Sequence, residues 1–306
     1  MGVAMPVTAQ VPHVERTVSE PPDPTRRRAP KSKQGMTMAD GLFAISLMAG
    51  SANVIMELAR PGVGYGVVES TVDSGRADIH PFKRARTTIG YLAVVALGTD
   101  EERAAFKQAI DVAHRQVRST KDSPVKYNAF DPQLQLWVAA CIYKGSVDLY
   151  RMFYGEMDDD EADQQYQAAK ILGTALQVKE ETWPADREAF DKYWQDQLNT
   201  NIHIDDTVRN YLYNIAAVRM RGVTLPGPLH KLVEGPMLFI TSGFLPQRFR
   251  DEMKLSWNPG KQRQFDAMIG VLRVVNNLTP PPLRRLPFDA LMWDMRWRMR
   301  TGRPLV

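Results

Sequence analysis

His114 is the residue whose surroundings in this sequence best suit a chemical role. It falls beside Ile110 and Val117 on a stripe of helical spacing, so we expect it to face the protein interior. A buried polar side chain needs a partner for its hydrogen-bonding groups. Two interpretations follow: a hydrogen-bonded core histidine, or an imidazole that binds a metal.

Two further polar residues are predicted to lie near this histidine. Residues 81–118 indicate two helices joined at Gly98, which we expect to adopt the left-handed conformation that often ends a helix. A helix rises about 1.5 Å per residue, so Arg84 lies about 21 Å before Gly98 and His114 about 24 Å beyond it. In an antiparallel pair these two residues meet at nearly the same height, with Thr88 one turn nearer the bend.

The ends of these elements carry clear helix signals. Pro81 suits a first helical position. Thr99 with Glu102 three residues later makes a capping box at the start of the second helix. Further on, Asp131 followed by Pro132 predicts the start of another helix.

Four motifs together resemble one protein family, and they read R-A-R-T-T-I-G-Y-L, L-G-T-D-E-E-R, V-A-H-R-Q-V-R and Y-N-A-F-D-P-Q-L-Q-L-W-V. That family contains the bacterial rubber oxygenase (latex clearing protein) and the fungal oxygenase of mycophenolic acid biosynthesis. Order and spacing match over most of the span from Met38 to Pro287. The resemblance implies an all-helical protein with one b-type haem and a histidine as the proximal iron ligand. His114 is the position that matches this histidine.

The resemblance also implies roles for three other residues. Arg84 would lie in the distal pocket or pair with a haem propionate, and Thr88 would donate a hydrogen bond to bound oxygen or water. Glu69 is the nearest match to a glutamate proposed as a catalytic base in the rubber oxygenase. The alternative for Glu69 is a surface carboxylate at a helix end.

The sequence departs from the family pattern at two positions. The rubber oxygenase has a lysine, able to occupy the sixth iron position, where this chain has Thr87. Many members have a histidine where this chain has Ala139. Either the iron is open in the resting state or another group occupies its sixth position, and any role of that second histidine is absent here.

The implied activity is dioxygen activation at haem iron and oxidation or cleavage of an alkene in an isoprenoid or lipid-like substrate. The expected partners are O2 and an apolar small molecule. A non-catalytic haem carrier or sensor on the same fold is the alternative, and a helical scaffold with a merely buried His114 is a third. A di-iron carboxylate protein is not favoured, because such sites use the E-x-x-H motif and the sequence contains none.

Composition narrows the classes further. The chain has 306 residues, a net charge of +4 and one cysteine. The first 35 residues carry +3 of that charge, so the rest lacks the basic bias of nucleic-acid-binding proteins, and we expect no nucleic-acid partner. One cysteine excludes a disulfide framework and a four-thiolate metal site. Cys141 lies in an apolar segment and is expected to be an inert buried residue.

The predicted organisation is a basic disordered tail (1–35), one all-α haem-binding domain (36–290) and an amphipathic C-terminal segment (291–306). Arginines 26–28 suggest twin-arginine export, but the apolar stretch begins late and no cleavage site is evident. We therefore expect a cytoplasmic location, with peripheral membrane contact through the tail or the C-terminal segment as an alternative.

Several further helices are predicted. Asp40–Ala59 is the most hydrophobic stretch, and polar residues within it favour a buried core helix over a membrane span. Helices are also expected over Thr207–Arg221 and Phe265–Asn277. The glycine-rich stretch after Pro61 lacks the G-K-[ST] ending of a phosphate loop, so nucleotide binding is not expected. Strand signals are scarce throughout.

Overall fold

Helices make up the regular structure of the described chain. The computed structural model describes residues 37–72, 75–223 and 226–306. Within these ranges the exception is an isolated antiparallel bridge between Arg118 and Asn128. The all-α prediction is therefore confirmed. The tail predicted over residues 1–35 lies outside the described ranges.

The α-helices of the described residues are α1 (Gly50–Leu58), α2 (Pro61–Val68), α3 (Pro81–Leu97), α4 (Asp100–His114), α5 (Pro132–Tyr154), α6 (Asp159–Ala169), α7 (Ile171–Thr174), α8 (Arg187–Thr200), α9 (Asp206–Ala216), α10 (Gly227–Phe244), α11 (Gln247–Glu252), α12 (Pro259–Leu278) and α13 (Pro281–Thr301). Short 3-10 turns cover Met38–Gly41, Ala44–Ala49 and Glu180–Thr182.

The predicted pair of helices forms α3 and α4, with a turn of two residues between them. The capping box is present: the Glu102 N–H donates to Thr99 Oγ1 at 3.2 Å, and the Thr99 N–H donates to Glu102 Oε2 at 2.9 Å. The prediction for Gly98 is wrong, because its backbone is extended, with φ −79° and ψ 160°. A Cβ there would lie 2.5 Å from the Val94 carbonyl oxygen. Glycine is required for this close approach and not for a left-handed conformation.

The apolar stretch predicted as one core helix divides into a 3-10 turn and the nine-residue helix α1. Its last residues are buried against α5. The Trp137 indole N–H lies 3.0 Å from the carbonyl oxygen of Glu57 and 3.2 Å from that of Met56. These contacts satisfy carbonyls at the C-terminal end of α1, where no intrahelical donor remains. Across the described residues, no helix combines the length and apolarity needed to cross a membrane.

The glycine-rich stretch after Pro61 forms α2. Gly64 lets this helix turn back closely on α1, because a Cβ at that position would lie 2.6 Å from the Leu58 carbonyl oxygen. Gly62 and Gly66 line the cavity described below. Gly64 therefore allows close packing of α2 on α1, and Gly62 and Gly66 leave space in the cavity.

The C-terminal helix α13 continues through residues 290 and 291 and packs along α3. Phe288, Met292 and Met295 are buried in this contact. Arg296 lies 2.7 Å from Glu102 at the start of α4. One helix therefore braces both members of the α3–α4 pair.

Candidate functional site

A cavity lies between α1, α2, α3, α4 and α5, with α7 closing one side. Its volume is about 230 Å³, measured as the space open to the centre of a water molecule. Most of the residues that line it are apolar. Four polar side chains stand out among them, namely Glu57, Arg84, Thr88 and His114. We call this space the first cavity.

His114 is the last residue of α4, and the burial of Phe106 and Ile110 on the same stripe turns it toward the first cavity. Its ring meets Phe130 edge-on, with ring centroids 6.1 Å apart. Nδ1 is buried and has no hydrogen-bond partner in the described chain. Burial, and then the positive charge of Arg84, lower the pKa of His114 to about 4. The imidazole is therefore neutral at neutral pH, the form that binds metals.

Arg84 lies on the first turn of α3 and also lines the first cavity. No hydrogen bond or ion pair joins its guanidinium to another described residue, whereas Arg76 and Arg86 are each paired with an aspartate. Its charge affects the pKa of both His114 and Glu57. A half-buried cation that no described residue pairs is suited to an anionic group of a ligand, because a guanidinium binds carboxylates through two parallel hydrogen bonds.

The two neighbouring threonines differ in availability. The Thr87 hydroxyl donates to the Lys83 carbonyl oxygen at 3.1 Å, so it is engaged by its own helix. Thr88 lines the first cavity, and its hydroxyl has no hydrogen-bond partner among the described residues. Thr88 is the hydroxyl of this pair that can serve a ligand.

Glu69 lies at the C-terminal end of α2 and does not line the first cavity. Its Oε2 accepts hydrogen bonds from Ser123 Oγ at 2.6 Å and from the Tyr127 hydroxyl at 2.7 Å. Tyr127 does line the cavity, and burial together with Glu69 raises its pKa to about 12. Glu69 thus reaches the cavity through Tyr127, and its role as a base stays a prediction.

Glu57 is a site residue that the sequence analysis missed. It is 8% exposed, lies on α1 and lines the first cavity. Asn53 Nδ2 donates to Glu57 Oε1 at 2.6 Å. Burial raises its pKa to about 7, against the opposing effects of Arg84 and of the Asn53 hydrogen bond. The available signal was a glutamate four residues after an asparagine within an otherwise apolar helix.

Ala139 lies on the wall of the first cavity, at the position where many relatives were expected to have a histidine. It is 1% exposed and has no polar side chain to offer. In the described chain, no group of three or more His, Cys, Asp and Glu side chains could hold a bare metal ion. Among the described residues that line the first cavity, His114 provides the imidazole.

A second cavity, of about 180 Å³, lies between the Met38–Ala49 segment, α1, α3 and α5. It shares Glu57, Thr88, Leu92 and Ile142 with the first cavity. The two spaces therefore have a common wall, and Glu57 and Thr88 border both.

Comparison with known proteins places the chain in a family. Residues 39–274 match the family model described as "ER-bound oxygenase mpaB/B'/Rubber oxygenase, catalytic domain". The chain is also 53% identical over 257 residues to uncharacterized proteins of Mycobacterium bovis (Mb2261) and Mycobacterium tuberculosis (Rv2237). Each alignment covers 84% of this chain and 98% of the relative.

No solved structure gives a significant match to the chain. The family match spans well over half of the sequence and contains α1 to α11, which include the helices around the first cavity. This chain belongs to the family of the mpaB and rubber oxygenases.

Proposed function

We propose that the protein is a haem b-dependent oxygenase that uses O2 to oxidise or cleave an alkene in an apolar, isoprenoid or lipid-like substrate. The observation that carries the proposal is the imidazole of His114 on the wall of the first cavity, whose buried Nδ1 has no hydrogen-bond partner among the described residues. Burial lowers its pKa and so favours the neutral form. An imidazole in this state fits a haem iron, because the porphyrin supplies the four equatorial ligands and the protein needs to supply one axial ligand.

The other residues of the first cavity also fit a haem. Its apolar lining suits the faces of a porphyrin, and the unpaired guanidinium of Arg84 suits a propionate carboxylate. Haem would supply the activation of dioxygen. In alkene cleavage one C=C bond and one O–O bond break and two C=O bonds form, so the two oxygen atoms of O2 balance the reaction without an added reductant.

Thr88 and the two carboxylates complete the proposed machinery. Thr88 would offer a hydrogen bond to dioxygen or water in the first cavity, from a hydroxyl that no described residue engages. A general base works best when its pKa lies near the operating pH. Glu57, with a pKa of about 7 and a place on the cavity wall, meets that condition; Glu69 acts on the cavity through the Tyr127 hydroxyl.

The test begins with the visible spectrum of the full chain purified with haem. We expect a Soret band that His114→Ala abolishes and that His203→Ala, which changes an exposed histidine, leaves intact. A haem-loaded protein should consume O2 when polyprenyl compounds are added and should yield carbonyl products. Haem binding without O2 consumption would identify a carrier or sensor. A spectrum that His114→Ala does not change would overturn the assignment of the iron ligand.

A further inference from the structure

The second cavity contains polar side chains that the protein itself does not satisfy. Its lining is mainly apolar, but Asn53 and Gln165 lie on its wall. Asn53 Oδ1 and Gln165 Oε1 are both buried and lack a hydrogen-bond partner in the described chain. Unsatisfied buried polar atoms are rare in folded proteins, because each one loses its hydrogen bonds to water on folding.

Gln165 is the clearer of the two. It is 4% exposed, and no described residue bonds to either end of its amide. A buried leucine at this position would pack without that loss. An amide that lines a cavity without protein partners offers one acceptor and two donors to a bound molecule.

Asn53 is held in place with its oxygen unused. Its Nδ2 donates to Glu57 at 2.6 Å, which leaves Oδ1 as the unpaired end. Gly145 on α5 lies close to this oxygen, because a Cβ at that position would be 2.8 Å from Asn53 Oδ1. A side chain at position 145 would therefore press against this acceptor.

The charges around the second cavity restrict what it can bind. Glu57 and Asp148 line it, and none of the described lining residues is Lys, Arg or His. An anionic head group such as a carboxylate or phosphate would find no cationic side chain on this lining. A neutral hydroxyl group, in contrast, can donate to either free amide oxygen and accept from Gln165 Nε2.

We propose that the second cavity binds the hydroxyl end of an apolar alcohol, with Asn53 and Gln165 as its hydrogen-bond partners. The hydrocarbon part then extends to the wall formed by Leu92, Ile142 and Thr88, beyond which lies the first cavity. The further step, that such an alcohol is the substrate of the oxygenase, rests on the proposed function; the binding itself does not.

The experiment measures binding of three probes to the full chain by titration calorimetry: 1-decanol, decyl methyl ether and decanoate. The ether keeps the chain and oxygen of the alcohol but cannot donate a hydrogen bond. We expect 1-decanol to bind about tenfold more tightly than the ether, as one hydrogen bond predicts. Decanoate should bind more weakly than either.

Variants locate the site. Gln165→Leu should weaken binding of the alcohol more than binding of the ether, because it removes one of the two free oxygens that can accept from a hydroxyl. The variant should fold, since an apolar side chain replaces an unsatisfied amide. The matched control Gln164→Leu changes an exposed neighbour and should behave as the wild type. Gly145→Ala should weaken the alcohol severalfold, because its methyl group occupies the space beside Asn53 Oδ1.

Equal binding of alcohol and ether to the wild type would overturn the proposal, since the free amide groups would then be serving ordered water. An alcohol preference that is undiminished in both Gln165→Leu and Gly145→Ala would overturn it as well. Titrations with and without haem separate the two proposals: a missing Soret band with the alcohol preference intact refutes the haem assignment alone. A Soret band without any alcohol preference refutes the second-cavity site alone.

Discussion

Burial acts on two residues of the first cavity in opposite directions. It lowers the pKa of His114 and raises that of Glu57, because in each case it disfavours the charged form. The positive charge of Arg84 lowers both values. At neutral pH the site therefore combines a neutral imidazole, a fixed cation and a carboxyl group close to its titration point.

Glu57 gives a prediction about stability and pH. Its pKa is about 7 in the folded state against an ordinary value of 4.5, so the folded state retains a proton that the unfolded state releases between these values. Stability from this group is greatest below about pH 4.5 and is lost as pH rises to about 7. Glu57→Gln should remove the loss, and its free energy of unfolding should exceed that of the wild type by up to about 3 kcal/mol above pH 7.

Denaturant titrations of both proteins at several pH values between 4 and 8 measure this difference. Glu188→Gln, at an exposed position on α8, is the control and should show no such trend. A Glu57→Gln advantage that is constant with pH would contradict the raised pKa.

The same glutamate and Glu69 can be compared as bases. In the haem-loaded enzyme, Glu57→Gln should lower O2 uptake with an alkene substrate by about 100-fold, in the range of a lost general base. Glu69→Gln should lower it less, because Ser123 and Tyr127 hold that carboxylate outside the cavity. Soret absorbance confirms that both variants retain haem. A larger loss of O2 uptake in Glu69→Gln would instead identify Glu69 as the base.

Thr88 and Thr87 form a matched pair for a test of the hydroxyl. Thr88→Val should lower O2 uptake about tenfold, the worth of one hydrogen bond, and Thr88→Ser should restore it. Thr87→Val should have little effect on turnover, because the Thr87 hydroxyl already bonds to Lys83 in its own helix. Equal losses in both valine variants would show that the Thr88 hydroxyl has no special role.

The sequence predicts some site residues and misses others for a physical reason. The rise per residue of two antiparallel helices joined by one short turn predicts that Arg84, Thr88 and His114 lie close together. Glu57 and Gln165 reach their cavities through the packing of α1 and α6 against distant helices, which no local pattern encodes. A lone polar residue in an apolar stretch indicates only that its side chain needs a hydrogen-bond partner.

At the scale of elements, local signals predict helix starts better than helix ends. Pro81, Thr99 and Asp131 all begin or cap helices as predicted. The helix predicted over Thr207–Arg221 instead ends at Ala216, where the backbone turns through Val218 at φ 56°. That conformation is strained for a β-branched residue, so tertiary contacts must impose it. The local sequence therefore does not predict it.

Helix packing gives a prediction at Gly243, near the end of α10. A Cβ there would lie 2.1 Å from the Phe265 ring of α12, and that ring is buried. Gly243→Ala should therefore lower the free energy of unfolding by about 1–3 kcal/mol through overpacking. Gly270→Ala on α12 is the control, since a Cβ there meets nothing within 4 Å. It should raise stability by up to about 1 kcal/mol in chemical denaturation. A stabilised Gly243→Ala would show that α10 and α12 separate easily.

In the whole molecule, the first cavity occupies space between helices that packed side chains would otherwise fill. Helices α1 to α5 surround it, while the principal cluster of buried side chains lies around α1 and α5. The α3–α4 pair that carries Arg84 and His114 is braced from outside by α13, through Met292, Met295 and the Arg296–Glu102 ion pair. A ligand in the first cavity would therefore join α3 and α4 to α5 across space that no side chain fills.

This arrangement predicts that haem contributes to the stability of the whole fold. A ligand that binds only the folded state at a hundredfold excess over its Kd stabilises it by about 3 kcal/mol. For a chain of this size that corresponds to a rise in Tm of several degrees. Thermal unfolding followed by circular dichroism, with haem removed and restored, measures the rise. His203→Ala should show the full effect and His114→Ala little of it, because the second variant loses the iron ligand. An equal rise in His114→Ala would mean that haem is held by the apolar walls and Arg84 without the imidazole, and the iron ligand would have to be sought elsewhere.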